Sequence, residues 1–258
     1  MKTVSFNAFK GGTGKTTLSI ITINALMAQG FKCLAIDADI INHSLSFYYN
    51  SGIPFDTIQA QNIFKVFTGE DIADNVIKVS DHLDLLHADV RLSDFRSTDN
   101  TRRLKKQIQG LKGYDYVVID TSPVYDNIIA NVYHASDYLI VPTVADSFNH
   151  QSVRFLLRKL GDLDLSDLDA YVQINHFVKP RSDNKETFRN QVVDLFKSDP
   201  EIEPFLAGSI ISESSVIERY INDRGFRIND RKETVKQYAE IRDFLTGTLS
   251  ITLNGKGI

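Results

Sequence analysis

Short apolar runs alternate with helical patterns from the first residues of the chain onward. "KTVSFNA" and "FKCLAID" predict β-strands, and residues 15–29 between them predict a helix with Gly30 as its carboxyl-terminal cap. Later strands are predicted at "LDLLHA", "YDYVVID", "DYLIVP", "DAYVQIN" and "FLAGSII", and a closing helix at residues 231–249. This alternation predicts an α/β fold with a mostly parallel twisted sheet, helices on both faces, and one domain over residues 1–258.

Composition narrows the class of protein. Hydrophobic residues make up 42% and charged residues 24% of the chain, and no run approaches the ~18 apolar residues of a membrane span. The amino terminus lacks the long apolar segment of a secretory signal, so we expect a cytoplasmic protein. Cys33 is the only cysteine, which excludes a disulfide framework and a Cys-based metal site, and we interpret it as a buried apolar residue.

The segment "FKGGTGKTT" at residues 9–17 departs from the standard phosphate-binding pattern G-x-x-x-x-G-K-[ST], because Phe9 stands where the first glycine should be. The physical requirement is still met. Glycines allow backbone N–H groups to close on phosphate oxygens at a helix amino terminus, Lys15 adds a positive charge, and Thr16 offers a hydroxyl to Mg²⁺. The predicted nucleotide-binding residues of the loop are Lys10, Gly11, Gly12, Thr13, Gly14, Lys15, Thr16 and Thr17.

Lys10 is the unusual component of this loop. At ~4 Å and an effective dielectric constant near ~20, two unit charges interact by about 4 kcal/mol, so Lys10 and Lys15 call for a strong anion nearby. "KGGTGKTT" resembles the deviant Walker A motif, K-G-G-x-G-K-[ST]-[ST], of the ParA/MinD family of P-loop ATPases, closest to the ParA-type partition ATPases. The resemblance implies a P-loop NTPase fold, ATP and Mg²⁺, and a homodimer in which Lys10 reaches the phosphates of the other subunit.

Three carboxylates match further elements of that family. "LAIDAD" resembles its D-x-D element, which implies that Asp37 helps to hold Mg²⁺ and that Asp39 orients the attacking water. Asp120 ends the apolar strand "YDYVVID" and matches the Walker B carboxylate, so Thr16, Asp37 and Asp120 are the predicted metal ligands. The predicted catalytic residues are Lys10, Lys15 and Asp39. "YVQINHF" resembles the segment of that family that contacts adenine, which implies that Asn175 contacts the adenine base of ATP.

Other positions depart from the family pattern. "IINHS" follows Asp39 where the family usually has P-Q-G, Ser122 stands where the family commonly has the first of two prolines, and residues 211–213 read I-S-E where relatives have I-P-R. The first two departures leave the coupling of the site to hydrolysis open. The third bears on DNA, because many ParA proteins bind DNA without sequence preference through their carboxyl-terminal third.

The charge distribution gives DNA binding only local support. The net charge is −4, and residues 179–236 contain eleven Lys and Arg against eleven Asp and Glu. The predicted DNA-binding residues are Arg219, Arg224, Arg227 and Arg231, with Lys232 beside them. A second basic patch on a predicted helix contains Arg102, Arg103, Lys105, Lys106 and Lys112.

The resemblance implies an ATP-driven switch. ATP would promote dimerisation, the dimer would engage a surface such as nonspecific DNA of the nucleoid, and a ParB-like partner would stimulate hydrolysis and release. One alternative is an ATP-dependent small-molecule synthetase or amidase on the same scaffold. Another is a MinD-like role at a membrane, which is disfavoured because the tail "LTGTLSITLNGKGI" has no clear amphipathic helix with a basic face.

Overall fold

A computed structural model describes residues 1–97, 100–177, 188–224, 226–253 and 257–258. Its centre is one eight-stranded sheet with the strand order β3-β4-β2-β5-β1-β6-β7-β8. The strands are β1 (Lys2–Phe6), β2 (Cys33–Ala38), β3 (Ile77–Ser80), β4 (Leu83–Leu86), β5 (Tyr116–Thr121), β6 (Tyr138–Val144), β7 (Asp169–Phe177) and β8 (Leu206–Ser212). All strand pairs are parallel except β3 with β4, which confirms the predicted mostly parallel sheet.

Helices cover both faces of this sheet. They are α1 (Lys15–Ala28), α2 (Ser44–Tyr49), α3 (Phe55–Ala60), α4 (Ile63–Thr68), α5 (Arg103–Gly110), α6 (Asn127–Ala135), α7 (Ser147–Gly161), α8 (Phe188–Ser198), α9 (Ser215–Asn222) and α10 (Val235–Leu249). Helices α1, α2, α9 and α10 pack into one apolar cluster, while α4 to α8 contribute to the two clusters that fill the other face. None of the helices in the described ranges is long and apolar enough to cross a membrane.

The apolar pattern predicted the central strands because they are buried on both sides. Every residue of β2 is buried, including Cys33. Burial, and to a smaller extent the negative charge of Asp115, raises the pKa of the Cys33 thiol to about 12. The strand β3 was not predicted, since it has four residues and alternates between buried and more exposed positions at the sheet edge. The closing helix begins at Val235, four positions after its predicted start at Arg231.

The centre of the sheet fixes where the polar strand ends meet. Strand β5 lies between β1 and β2, with Asp120 paired in register with Phe6 on one side and with Asp37 on the other. The loop that leaves β1 therefore passes directly over two carboxylates. In an open α/β sheet, this carboxyl edge is where ligands bind.

Candidate functional site

The loop between β1 and α1 has the backbone of a phosphate cradle. Gly12 and Gly14 have φ angles of 75° and 97°, in the left-handed region that side chains disfavour. Gly14 is the N-cap of α1, and no side chain of the described residues caps that helix. Leu18 N–H donates to the Gly14 carbonyl at 2.9 Å as the helix begins, so the earlier N–H groups face the loop.

Phe9 replaces the first glycine of the standard pattern by anchoring the loop. Its ring packs edge-on against Tyr125, with centroids 6.0 Å apart, and against Phe155, with centroids 5.7 Å apart. Such aromatic pairs contribute about 0.5–1.5 kcal/mol beyond the area that they bury. The departure at this position is therefore a packing contact between the loop and the helix α7.

Lys15 is the inward-facing cation of the loop. Its side chain is nearly buried, and its ammonium donates to the Lys10 carbonyl at 3.5 Å. Burial lowers its pKa, while the negative charges of Asp120 and Asp39 act in the opposite direction. A buried ammonium beside two carboxylates is held in place for a strong anion.

Asp37 and Asp120 form a buried pair on neighbouring strands. The Thr16 hydroxyl donates to Asp120 at 2.6 Å, and Asp37 accepts the backbone N–H groups of Asp39 at 2.9 Å and Ser46 at 2.7 Å. Burial raises the pKa of Asp120 to about 7 and that of Asp37 to about 6, with mutual repulsion adding to the shift of Asp120. The predicted metal ligands Thr16, Asp37 and Asp120 are thus brought together.

Asp39 is held by a dense set of donors. Its Oδ1 accepts Ile41 N–H at 2.9 Å, Asn42 N–H at 3.3 Å and the Ser122 hydroxyl at 2.8 Å, and its Oδ2 accepts the Asn42 side chain at 3.2 Å. Burial acts to raise the pKa of Asp39, but these hydrogen bonds outweigh it and hold the pKa below its usual value. The carboxylate is charged and fixed beside the cradle.

Lys10 directs its ammonium to the start of α7. Its ammonium lies 3.4 Å from Asp146 and 5.6 Å from the centre of the Phe148 ring, and 41% of its side chain is exposed. Asp146 is the N-cap of α7, where it accepts Asn149 N–H at 2.8 Å. The Asp146 carboxylate supplies part of the negative charge expected near the two lysines. Because much of its side chain is exposed, Lys10 lies at the surface of the loop.

Asn175 lies against the phosphate loop. It is 4% exposed, and its side-chain amide donates to the Thr13 carbonyl at 3.0 Å. With Thr17 and Glu213 it lines a cleft of about 200 Å³ between α1 and α9. The predicted base-binding residue therefore borders a cleft that continues from the cradle.

Ser212 lies in the I-S-E segment that departs from the family pattern. It is fixed by two hydrogen bonds to Glu240 at 2.9 and 2.8 Å.

The four arginines predicted to bind DNA lie on exposed positions of α9 and the segment after it, and three use their guanidinium groups within the protein. Arg219 stacks over Phe226 at 4.3 Å and pairs with Asp223 at 3.7 Å. Arg224 stacks over Tyr48 at 5.2 Å and donates to the Tyr48 carbonyl.

Arg227 donates to the carbonyl of Arg224 at 2.7 Å, and Arg231 donates through its backbone to Asn229 at 2.9 Å. The second patch is partly neutralised as well, since Arg102 lies 3.5 Å from Asp164 and Lys105 lies 3.9 Å from Asp167.

Two residues of the site were not predicted as functional. Asp146 partners Lys10, and Ser122 joins Asp39 to the end of β5. A signal for Asp146 is present in the sequence, since an Asp before "SFNHQSVRFLL" is typical of a helix N-cap. Ser122 was noted only as a departure from the family pattern.

Comparisons with known proteins bear on the family and the fold of this chain. The sequence model of the AAA domain family matches residues 1–174. The virulence plasmid ParA family protein pGP5-D of Chlamydia psittaci is 27% identical over 240 residues, with 87% of this chain and 90% of that protein covered. The maintenance of carboxysome distribution protein A of Synechococcus elongatus is 32% identical over 178 residues, covering 66% and 68% of the two chains.

Among solved structures, a plasmid partition protein from Borrelia burgdorferi B31 bound to AMPPNP superposes with a TM-score of 0.73. It is 28% identical, and the match covers 95% of this chain and 98% of that one. The P-loop NTPase fold implied by the loop motif is thereby confirmed. This chain belongs to the ParA-type family of partition ATPases.

Proposed function

We propose that this protein is an ATP-driven dimerising switch that positions DNA or another intracellular cargo. The observation that carries the proposal is the different burial of two lysines in one loop. Lys15 is buried near Asp120 and Asp39, whereas the side chain of Lys10 is 41% exposed. We infer that Lys15 would contact phosphates bound by its own subunit and that Lys10 would contact phosphates held by the other subunit.

ATP is the nucleotide that this site would take. The loop backbone and Lys15 would hold the phosphates, and Asn175 would contact the adenine in the adjoining cleft. Thr13 supports the fit, because its buried hydroxyl has no hydrogen-bond partner among the described residues. A bound anion can satisfy that polar atom.

Mg²⁺ fits the oxygen donors at the strand ends. Thr16, Asp37 and Asp120 would hold it, directly or through water, and it would neutralise charge on the phosphate oxygens. The two buried carboxylates carry raised pKa values, which a divalent cation would reverse. Within the described ranges, no three His, Cys, Asp or Glu side chains form a metal site by themselves. We infer that the phosphates would supply further oxygen ligands to the ion.

Asp39 is the residue that would orient the attacking water. The water oxygen forms a bond to the γ-phosphorus while the bond to the β,γ-bridging oxygen breaks, and that oxygen leaves on ADP with the electron pair. The water proton ends on the released phosphate or in solvent. Phosphoryl transfer depends mainly on positioning and charge compensation, which suits a charged carboxylate fixed by four hydrogen bonds.

The ATP-bound homodimer would carry the output of the switch. The relatives include a virulence plasmid ParA family protein and a carboxysome distribution protein, which supports DNA or a large cellular body as the cargo class. Nonspecific DNA would be contacted by Arg219, Arg224, Arg227 and Arg231, and a ParB-like partner would stimulate hydrolysis. The nucleoid is then the surface on which the cytoplasmic dimer works.

The deciding experiment measures oligomeric state by light scattering with and without ATP and Mg²⁺, for the wild type and for Asp39→Ala. We expect monomers without nucleotide, dimers with ATP, and long-lived dimers of the variant that hydrolyse ATP slowly. DNA binding and turnover are then measured with DNA and a candidate ParB-like partner. Turnover that needs only a metabolite, with no ATP-dependent dimer, would decide for the small-molecule enzyme instead.

A further inference from the structure

Ser122 connects two strand ends through one hydroxyl. It follows β5 directly after Thr121 and is 1% exposed. Its hydroxyl donates to Asp39 Oδ1 at 2.8 Å and accepts Ile40 N–H at 2.9 Å. The end of β5 is thus joined to the first two residues after β2.

The backbone of Ser122 is itself fixed from the other side. The Asn7 side-chain amide donates to the Ser122 carbonyl at 3.1 Å and to the Thr121 hydroxyl at 2.7 Å. Asn7 in turn accepts the Tyr133 hydroxyl at 2.8 Å. Because all four residues are buried, the hydroxyl of Ser122 occupies a position set by β1, β5 and α6.

The two oxygens of the Asp39 carboxylate have different numbers of donors. Oδ1 takes three donors, from Ser122 and the backbone of Ile41 and Asn42. Oδ2 takes the Asn42 side chain at 3.2 Å, the single partner that it has in the hydrogen bonds of the described residues. A carboxylate oxygen accepts about two hydrogen bonds, so Oδ2 keeps acceptor capacity and Oδ1 does not.

We propose that Ser122 is a positioning residue for ATP hydrolysis, which fixes the rotation of Asp39 so that Oδ2 is the oxygen that accepts the attacking water. The inference rests on the proposed role of Asp39 and goes beyond it by naming the oxygen and the group that aims it. A proline at this position, as the family commonly has, has no hydroxyl to make either bond.

The test compares kcat for ATP hydrolysis with the Kd for AMPPNP in the full chain with Mg²⁺. Ser122→Ala should lower kcat about 10-fold, the effect of losing one hydrogen bond to a charged group at the low end of its range, and should change the Kd less than about twofold. Ser122→Thr keeps a hydroxyl and should restore at least half of the lost rate. A merely structural role would not produce this split or this rescue.

Ser136→Ala is the matched control. Ser136 is also buried, at the end of α6, where its hydroxyl donates to the Val132 carbonyl at 2.6 Å and lies 2.8 Å from the Ser5 hydroxyl of β1. Ser136→Ala removes a buried, hydrogen-bonded hydroxyl without touching Asp39, so it should lower the Tm to a similar degree and leave kcat unchanged. Equal losses of kcat in both variants would assign the effect to stability and overturn the proposal.

Asp39→Asn separates this inference from the function on which it rests. If Asp39→Asn hydrolyses ATP normally, the proposed role of Asp39 is wrong. If Asp39→Asn is slow while Ser122→Ala is as fast as the wild type, only the positioning role fails. Ser122→Ala should also add little to Asp39→Asn, because both act through one carboxylate.

Ser122→Cys covers the case in which the alanine variant does not fold. A thiol has nearly the volume of a hydroxyl but is a weaker hydrogen-bond donor. The kcat of Ser122→Cys should therefore be lower than the kcat of the wild type and of Ser122→Thr, and higher than the kcat of Asp39→Asn. A cysteine variant with wild-type kcat would overturn the proposal.

Discussion

The phosphate loop and the arginine surface after α9 are both rich in charge, yet they use it differently. At the loop, Lys15 is nearly buried, and the negative charges of Asp120 and Asp39 act on its ammonium. On the surface, Arg219 and Arg224 are exposed, and their guanidinium groups stack on aromatic rings of the same chain. Arg224 also donates to a backbone carbonyl.

The difference separates a site from a patch. Buried charges must be compensated by a proton or by an opposite charge, so the ionisable groups gathered at one sheet edge favour a ligand such as a metal-bound phosphate. Exposed arginines need none, because water solvates them and their internal contacts are weak. The loop therefore supports a specific ligand, whereas the arginine surface supports DNA only as a proposal.

Removing Lys15 should have the largest effect on this contrast. Lys15→Ala deletes the buried cation that we propose to face the phosphates, and we expect the Kd for ATP to rise at least ~30-fold, since losing a buried charge contact costs about 2 kcal/mol or more. Equilibrium binding of a fluorescent ATP analogue measures it. Lys32→Ala is the control, because Lys32 lies at the start of β2 and pairs with Asp84 at 3.2 Å. Equal affinities of the two variants would contradict the cradle.

Removing Lys10 should abolish the dimer and spare the nucleotide. Lys10→Ala takes away the half-exposed cation. We expect its Kd for ATP to stay within about threefold of the wild-type value. We also expect no ATP-dependent dimer at protein concentrations about 10-fold above those at which the wild type dimerises. Light scattering measures the dimer. Lys159→Ala is matched to it, since Lys159 also has an ion pair, with Asp162 at 3.2 Å, and an aromatic neighbour, Phe155. Normal dimerisation of Lys10→Ala would refute the cross-subunit role.

The same contrast explains what the sequence could predict. Strand β2 was predicted because its buried run is continuous, and the loop was predicted because its chemistry lies within nine consecutive residues, 9–17. The contacts of Lys10 with Asp146 and of Asp39 with Ser122 join residues 136 and 83 positions apart. No local pattern encodes such pairs, which depend on which strand ends become neighbours. The internal partners of Arg224 were unpredictable for the same reason.

The buried carboxylates should make the nucleotide-free protein less stable as the pH rises. Burial and the nearby Asp37 raise the pKa of Asp120 to about 7 from its usual 3.8, so the folded protein binds this proton more tightly than the unfolded chain does. The resulting stabilisation is present below pH 3.8 and is lost as the pH rises through about 7. The charged pair therefore costs stability at pH 8.

Asp120→Asn cannot ionise, so its Tm relative to wild type should increase between pH 5 and pH 8 by several degrees, at about 2–4 °C per kcal/mol. Thermal unfolding without Mg²⁺ at both pH values measures this difference. Asp164→Asn is the control, because that carboxylate is 85% exposed. A Tm difference for Asp120→Asn that does not depend on pH would show that the site does not strain the empty protein.

The smallest effect is expected on the arginine surface, and it decides whether that surface is more than a solvated patch. If the dimer binds DNA there, Arg231→Ala should reduce the slope of log K against log salt by about 0.9 per arginine in each subunit. The Tm should stay the same, because Arg231 makes its 2.9 Å contact with Asn229 through the backbone. Arg224→Ala should reduce the slope equally but also lower the Tm, because it gives up the ring of Tyr48. Arg158→Ala, a change on α7 that removes an ion pair with Glu201, should leave the slope unchanged. An unchanged slope in both arginine variants would mean that these residues serve the fold and not DNA.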